Sequence, residues 1–325
     1  MKRLISVIVL VAMLLCMTAC GKNPGAGLSQ ADVEKLLEET GTYLQAQVTD
    51  PTFGSVGGEW TILGLARSGL EVSDEYYETY FQNLSAYTAQ QGGILHEKKY
   101  TEYSRVILAV TAIGKDPADV GGYDMLAPLA DFEQTVFQGI NGPIFALLAL
   151  DSGCYEIPEN ATGSTQATRD LYVDYLINAQ LAEGGWSLMG GEAEIDLTAM
   201  ALQALAKYQD RKEVAEAVKK GLEILSSRQN ENGGYQYNSG EQVSSESVAQ
   251  VIVALTELGI SMDDDRFVKD GHTLLDALLQ FVQEDGGFSH LMDGESDLLA
   301  TEQAFYALVA ANRLMQGQAS LYTMK

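Results

Sequence analysis

Residues 175–208 read YLINAQLAEGGWSLMGGEAEIDLTAMALQALAKY. The pattern predicts the end of one helix, a Gly-Gly-aromatic turn at 184–186, a loop, an acidic helix start near Asp196, and a second, very apolar helix. Similar units recur on both sides of this stretch. Recurrence of one supersecondary unit indicates a repeat protein.

The spacing of the copies supports a repeat architecture. Gly185 and Gly234 lie 49 positions apart, and Gly234 and Gly287 lie 53 apart. Repeats of this length stack so that neighbouring units bury each other's apolar faces. Apolar periodicity and helix breakers divide residues 29–325 into six helix pairs. The third pair, with a short segment at 116–134, is the least regular, and the sixth begins with a helix predicted over 266–283.

The two helices of each pair differ in polarity. The first helix of the fifth pair, at 213–228, carries many charges, whereas the second contains VAQVIVALTELG at 248–259. A helix that is apolar all round is buried on all sides. An open solenoid would leave one face of such helices in water, so the pattern favours a closed ring. We predict an all-α (α/α)6 toroid, six inner helices within six outer ones, that fills residues 29–325 as one domain.

Three copies of a turn motif carry a family resemblance. A glutamine, a glycine and an aromatic residue recur at Gln180, Gly184 and Trp186, at Gln229, Gly233 and Tyr235, and, in a shortened copy, at Gln283, Gly287 and Phe288. In these residues the chain resembles the prenyltransferase and squalene-cyclase repeat family, whose QW motif ends in QxxxGxW and whose domain is an α/α toroid. The glycines allow a tight helix exit, and the aromatic residue fills the gap between adjacent pairs. The resemblance implies a fold but hardly constrains the function, because one fold hosts many functions.

A second resemblance concerns chemistry. Residues 194–199, EIDLTA, are similar to the DxDD-Thr-Ala motif of class II terpene cyclases, whose middle aspartate protonates an alkene or epoxide. The resemblance implies that Asp196 is a general acid and that Glu194 is the first acid of the motif. Leu197 departs from the pattern at the last acid, and an acid strong enough to protonate carbon needs paired carboxylates and hydrogen bonds. Asp196 alternatively complements the dipole of its helix.

Other catalytic patterns are missing from the sequence. The DDxxD motif of ionising terpene synthases is not formed by 263–268, which read DDDRFV. Cys154 lacks the Asp two positions earlier that the zinc site of protein prenyltransferases requires, and His96, His272 and His290 share no ligand spacing. We therefore predict no metal and no cofactor.

Acidic and aromatic residues gather at the predicted starts of inner helices, which would face one mouth of the ring. The candidate ligand-binding residues are Glu59, Trp60, Glu102, Tyr103, Glu246, Glu302 and Gln303, beside Asp196. Such a mouth suits a small molecule, a glycan or a protein. Two facing carboxylates would also suit a carbohydrate-active enzyme, hydrolase or lyase, on an (α/α)6 barrel. The same acids are what complementation of helix dipoles produces without a ligand.

The N-terminus predicts an export signal. Lys2 and Arg3 precede an apolar run at 4–15, followed by Met17-Thr18-Ala19-Cys20. This resembles a bacterial lipoprotein signal, with Met17 in place of the usual Leu. The resemblance implies a signal peptide at 1–19, lipidation of Cys20, a flexible tether over 20–28, and a membrane-anchored protein that faces outside the cytoplasm. A plain cleaved signal or a short membrane anchor is the alternative.

The net charge of the chain limits the classes of binding partner. The chain of 325 residues carries a net charge of -25, which argues against a nucleic-acid partner, because phosphate binding depends on clustered Lys and Arg. An acidic surface favours solubility and cationic partners. The expected lipid tether, the incomplete DxDD motif and the lack of a metal or nucleophile pattern in the sequence together predict a non-catalytic module that binds a ligand or partner. A carbohydrate-active enzyme and a diverged class II terpene cyclase are the alternatives.

Overall fold

The computed structural model describes residues 28–236 and 242–325. These ranges contain twelve α-helices. In chain order they are α1 (Gln30–Gln47), α2 (Glu59–Ser68), α3 (Asp74–Gln90), α4 (Thr101–Ala112), α5 (Phe132–Thr135), α6 (Asn141–Ser152), α7 (Arg169–Ala179), α8 (Ile195–Leu205), α9 (Lys212–Arg228), α10 (Ser245–Glu257), α11 (Leu274–Leu278) and α12 (Leu298–Met315). The predicted signal peptide and Cys20 lie outside the described ranges. Within those ranges, none of the helices combines the length and hydrophobicity that a membrane crossing requires.

Short polar residues start several of these helices. The Ser29 hydroxyl accepts a hydrogen bond from Asp32 N, and the Asp32 carboxylate accepts one from Ser29 N, which forms a capping box at α1. Ser73 caps α3 through Tyr76 N in the same way. At the other end of α2, Gly69 has a φ of 79°, a left-handed conformation that ends the helix at little cost only in glycine.

The even-numbered helices form a closed inner ring. Each packs against the next one along the chain, and α12 packs against α2. The outer helices α1, α7, α9 and α11 lie against α12, α6, α8 and α10 respectively, so the first helix of the chain covers the last. Nearly every residue of α10 is buried. The structure therefore confirms the predicted toroid of inner and outer helices.

The repeated turn motif holds neighbouring pairs together. Gln180 Nε2 donates to Gly184 O at 2.6 Å, within its own turn, and to Ala217 O at 2.9 Å, on the next outer helix. Trp186 is fully buried and donates from Nε1 to Leu176 O at 2.7 Å. Gly184 has a φ of 114°, which a side chain would strain. The motif is thus a structural joint in this chain.

The second and third copies repeat the joint with variations. Gln229 Nε2 donates to Gly233 O and to Phe267 O, both at 2.9 Å, and Tyr235 is fully buried. In the third copy Phe288 is buried, while Gly287 allows the Ser296 side chain to approach closely. Phe288–Ser289 pairs with Ser296–Asp297 as a short antiparallel two-stranded sheet at this turn. These two strands are the β-strands of residues 28–236 and 242–325.

The outer helices of the third and sixth pairs differ from the prediction. In the third pair, the outer element consists of the 3-10 turn Ala127–Ala130, then α5, then the 3-10 turn Val136–Gln138. The helix predicted over 266–283 is wrong for its first half, where Lys269 and His272 pair across a turn. Asp270 and Gly271 have φ values of 49° and 83° in that turn, which a helix cannot contain.

The end of the chain closes one side of the ring. Arg67, at the end of α2, donates to the carbonyl oxygens of Ser320, Leu321 and Thr323. Glu257, at the end of α10, accepts hydrogen bonds from Ser320 Oγ at 2.7 Å and Tyr322 N at 3.1 Å. Residues 316–325 therefore cover the C-terminal ends of the inner helices, and we call them the C-terminal plug.

Candidate functional site

The inner ring encloses a chamber with two lobes. An acidic lobe of about 200 Å³ is lined by Trp60, Phe145, Asp196, Met200, Glu246, Gln250, Gln303, Tyr306 and Tyr322. An amide lobe of about 230 Å³ is lined by Trp60, Thr101, Arg105, Gln138, Asn141, Phe145 and Met200. The lobes meet at Trp60, Phe145 and Met200, which line both. Each of the six inner helices contributes to the wall.

Most of the lining residues lie in the first two turns of the inner helices. Several come in pairs four positions apart: Thr101 and Arg105, Asn141 and Phe145, Asp196 and Met200, and Glu246 and Gln250. Residues at i and i+4 lie on one face of a helix, one above the other. The chamber thus has an upper tier at the helix N-termini and a lower tier one turn further in.

The chamber opens at the N-terminal ends of the inner helices. Asp196, Glu246 and Asn141 in the upper tier are partly exposed. Tyr306 and Tyr322 are each only 3% exposed. Tyr322 belongs to the C-terminal plug, so the plug forms the floor of the acidic lobe.

Asp196 brings a buried oxygen without a hydrogen-bond partner to the acidic lobe. Its side chain is largely buried, and its Oδ1 has no hydrogen-bond partner. Burial raises the pKa of Asp196 above its ordinary value, and the charges of Glu246 and Glu194 raise it further, while the Ser247 hydroxyl and His290 act in the opposite direction. A buried carboxyl oxygen without a partner is costly, and a ligand that donates a hydrogen bond or brings a positive charge would offset that cost.

Glu246 and His290 form a pair at the mouth. His290 Nδ1 lies 2.8 Å from both carboxylate oxygens of Glu246, and Ser245 Oγ donates to Glu246 Oε2 at 3.2 Å. The Glu246 side chain is 13% exposed. The backbone fixes this contact, since Ser245 N donates to His290 O at 3.1 Å. The sequence showed no ligand spacing around His290 and did not predict this pair.

The wall below the acids is a network of amides and a phenol. Gln250 Nε2 donates to Gln303 Oε1 at 2.9 Å and to the Tyr306 hydroxyl at 2.5 Å. Gln203 Nε2 donates to Gln250 Oε1 at 3.0 Å, and the Tyr306 hydroxyl donates to Gln303 Oε1. These groups satisfy one another, so they are held in fixed orientations.

Aromatic rings supply the apolar part of the chamber. The Trp60 ring lies 5.6 Å from that of Tyr306 and 6.0 Å from that of Phe145, measured between centroids, with tilted planes. Aromatic pairs at such separations pack favourably. Trp60 therefore stands at the junction of the two lobes with its ring held from both sides.

The amide lobe contains a cation that is already paired. Arg105 Nε donates to Glu59 Oε2 at 2.8 Å, and Arg105 Nη2 pairs with Glu102. Gln138 Oε1 accepts hydrogen bonds from Thr101 N at 3.3 Å and Thr101 Oγ1 at 3.2 Å. Because two carboxylates surround the guanidinium group, this lobe offers little free positive charge.

The structure corrects the expectation that Glu59 and Glu302 face the mouth. Glu59 is fully buried and accepts hydrogen bonds from Gly54 N, Tyr80 and Arg105. Burial raises its pKa, despite the opposing charge of Arg105. Glu302 is fully buried as well and accepts hydrogen bonds from Gly57 N at 2.9 Å and from Thr61. Both acids join adjacent helices and do not line the chamber.

Three further candidates also lie outside the lining. Tyr103 is buried and accepts a hydrogen bond from Leu95 N at 3.1 Å. Glu102 is held by Arg105, and Glu194 is exposed and accepts a hydrogen bond from Leu188 N at 3.0 Å. Trp60, Asp196, Glu246 and Gln303 are the sequence candidates that the ring brings together at the chamber. Binding by these four residues stays a prediction.

Comparison with known proteins agrees with this fold. The sequence profile of the prenyltransferase alpha-alpha toroid domain matches residues 145–242 and 198–321, which together span more than half of the chain. The fold and its central chamber define an α/α toroid protein, and the chain belongs to the prenyltransferase alpha-alpha toroid family. No curated protein sequence shows a significant match to the chain.

Solved structures with the same fold include enzymes of different chemistry. The type II terpene cyclase MstE from Scytonema has a TM-score of 0.57 at 14% identity, covering 88% of this chain and 100% of its own. Protein geranylgeranyltransferase-I from Candida albicans has a TM-score of 0.54 at 13% identity, covering 88% of this chain and 93% of its own. A possible GH105 family member from Salmonella enterica has a TM-score of 0.52 at 9% identity, covering 93% and 98%. At these identities the likeness concerns the fold alone.

Proposed function

We propose that this protein is a lipid-anchored, extracytoplasmic binding module that holds a small molecule in the chamber of its toroid without converting it. The observation that carries the proposal is the carboxyl group of Asp196, which lines the open chamber and whose buried Oδ1 has no hydrogen-bond partner. Folded proteins satisfy nearly all of their buried polar groups, so an unpartnered oxygen that faces an open chamber supports a site that a ligand completes.

Two further features support binding without turnover. Leu197 occupies the last acid position of the terpene-cyclase-like motif and is buried, so it adds no carboxylate beside Asp196. The amides next to Asp196 are engaged with one another, which suits fixed recognition. A lipid tether at Cys20 would hold such a module at the membrane surface, where it could capture a ligand outside the cytoplasm.

Native mass spectrometry of the full chain, purified in detergent from its membrane, tests the chamber. We expect a small molecule to accompany the protein, and Met200→Trp to remove it, since Met200 lines both lobes and the larger ring would fill their junction. Met315→Trp is the matched control, because Met315 lies at the far end of α12 and is 37% exposed. Retention of the molecule by Met200→Trp would refute binding in the chamber.

The lipid anchor has its own test. Growth with an alkyne-tagged fatty acid should label the protein, and Cys20→Ser should abolish the label. Cys16→Ser, the other cysteine of the leader, should leave labelling intact. Labelling that survives Cys20→Ser would contradict the anchor and leave the chamber proposal untouched.

Acid catalysis is the second candidate function. Asp196 has a raised pKa, and it lines the chamber together with Glu246, which are properties of a general acid next to a second carboxylate. Hydrolysis of a panel of 4-nitrophenyl glycosides that is lost in Asp196→Asn and retained in Asp210→Asn would favour this candidate over binding without turnover. Asp210 is an exposed acid at the opposite end of α8.

A further inference from the structure

We propose that the ligand is an organic cation, whose alkylated ammonium group lies in the acidic lobe between the carboxylates of Asp196 and Glu246 and the rings of Trp60 and Tyr306. This inference rests on the proposed chamber function and names its ligand class. It combines the charge of the lobe, its aromatic rings, and the carboxyl group that lacks a partner.

The acidic lobe is negatively charged when its carboxyl groups are ionised. Its lining contains two carboxyl groups and no Lys or Arg. His290 pairs with Glu246, and Asp196 keeps an oxygen without a hydrogen-bond partner. Carboxylates are acceptors only, so a ligand that approaches them must bring hydrogen-bond donors or positive charge.

The approach to this lobe is acidic as well. Residues 181–194 and 282–297 lead into α8 and α12 and contain no Lys or Arg. Their acids are Glu183, Glu192, Glu194, Glu284, Asp285, Asp293, Glu295 and Asp297. Arg228, on α9, pairs with Glu183 of the first segment, and the other acids of the two segments outnumber it. A cleft lined by one sign of charge raises the local concentration of the opposite charge and repels anions.

Aromatic rings favour an alkylated ammonium over a metal ion. A cation within about 6 Å of the face of a Trp or Tyr ring is attracted by the ring, and desolvated sites gain most. Trp60 and Tyr306, with centroids 5.6 Å apart, both line this lobe. Within 28–236 and 242–325, no group of three or more His, Cys, Asp or Glu side chains is arranged to hold a metal ion.

The remaining polar groups argue against a sugar. A sugar presents many hydroxyl groups that need both donors and acceptors, whereas Gln250 already directs its donors to the Tyr306 hydroxyl and Gln303 Oε1, and Tyr306 directs its donor to Gln303 Oε1. In the amide lobe, Arg105 is neutralised by Glu59 and Glu102. The part of the ligand in that lobe is therefore uncharged.

Calorimetric titration of the full chain in detergent tests the inference. Choline and 3,3-dimethyl-1-butanol have the same shape. Choline has a positively charged nitrogen where the alcohol has a neutral carbon atom. We expect choline and tetramethylammonium to bind, and choline to bind about tenfold or more tightly than the neutral alcohol. Asp196→Asn should reduce choline affinity about tenfold, whereas Asp210→Asn should leave it within about twofold.

The outcomes separate the inference from the proposed function. Equal affinity for choline and the alcohol, no binding of either cation, or unchanged choline affinity in Asp196→Asn would overturn the inference. If glucose bound and Met200→Trp abolished that binding, the chamber function would stand while the cation class failed. If no probe bound and no molecule accompanied the purified protein, both would fail.

Discussion

Replacement of Glu302 by Gln should change how the stability of the protein depends on pH. Glu302 is fully buried where the last inner helix, α12, meets the first, α2. Its Oε1 accepts hydrogen bonds from Gly57 N and Thr61 Oγ1, while its Oε2 has no partner. Burial raises the pKa of Glu302 from 4.5 to about 7, against the opposing effect of these hydrogen bonds.

The sign of the effect follows from proton binding. Because the folded state holds this proton more tightly than the unfolded chain, Glu302 makes its full contribution to stability below pH 4.5 and loses it as pH rises to about 7. At roughly 1.4 kcal/mol for each pH unit, the loss is about 3 kcal/mol. Gln resembles the protonated acid and cannot ionise, so Glu302→Gln should lack this loss.

Urea unfolding of both proteins between pH 4.5 and 8 measures the difference. We expect similar free energies of unfolding at pH 4.5 and a variant that is more stable by about 3 kcal/mol at pH 8. Glu295→Gln, which changes an exposed acid shortly before α12, should follow the original protein at every pH. Burial also raises the pKa values of Glu59, Asp196 and Glu257, so only the difference between the proteins isolates Glu302.

A pH-independent difference between Glu302→Gln and the original protein would refute this reasoning. It would mean that the carboxyl group ionises inside the ring without cost, through water or movement of α12. A variant that is destabilised by several kcal/mol at every pH would also refute it, since the amide would then not replace the protonated acid.

Three further predictions concern the turn motif, the plug and the ligand. Trp186→Ala should lower the free energy of unfolding by about 3–5 kcal/mol, since the ring is fully buried; Trp60→Ala, at the partly exposed chamber wall, should cost less than half as much in the same urea titration. Arg67→Ala should speed amide hydrogen exchange across residues 316–325, because three carbonyl oxygens of the plug lose their donor, whereas Arg266→Ala, in an exposed loop, should not. Choline affinity should rise as pH increases through the raised pKa of Asp196, which Glu246, Glu194, His290, Ser247 and Tyr306 influence, because the ionised carboxylate binds a cation better; an affinity that falls over this range in calorimetry would contradict it.

The fold could be predicted because the repeat spacing and the polarity of the helices both indicate it. The period of about 50 residues specified stacked pairs, and the apolar inner helices could be buried only in a closed ring. The exceptions were local. Asp270 and Gly271 adopt left-handed conformations that interrupt the predicted sixth outer helix, and a composition rich in helix-forming residues did not reveal that turn.

The candidate site was predictable only in part, because the direction of a side chain depends on helical phase. Asp196 and Glu246 are the second residues of α8 and α10 and line the chamber, whereas Glu59 is the first residue of α2 and Glu302 the fifth of α12. Successive residues of a helix turn by about 100°, so acids near a helix start face different neighbours. Met200 and Gln250 lie four positions after Asp196 and Glu246, on the same helix faces, and that spacing could have identified them from the sequence.

Other parts of the site gave no local signal at all. His290 meets Glu246 across 44 positions of sequence, and the contact depends on how the loop before α12 folds over the start of α10. Tyr322 forms the floor of the acidic lobe because the plug turns back under the ring. Long-range contacts of this kind follow from tertiary packing and leave no motif in the chain.

A crystal structure of the protein isolated from its own membrane, with no ligand added, tests whether the chamber holds a natural ligand. We expect continuous electron density of a small molecule in the chamber, in contact with the Asp196 carboxyl group and lying over the Trp60 ring. A chamber that is filled by rearranged side chains, or that holds only scattered water with Asp196 hydrogen-bonded to protein groups, would contradict it.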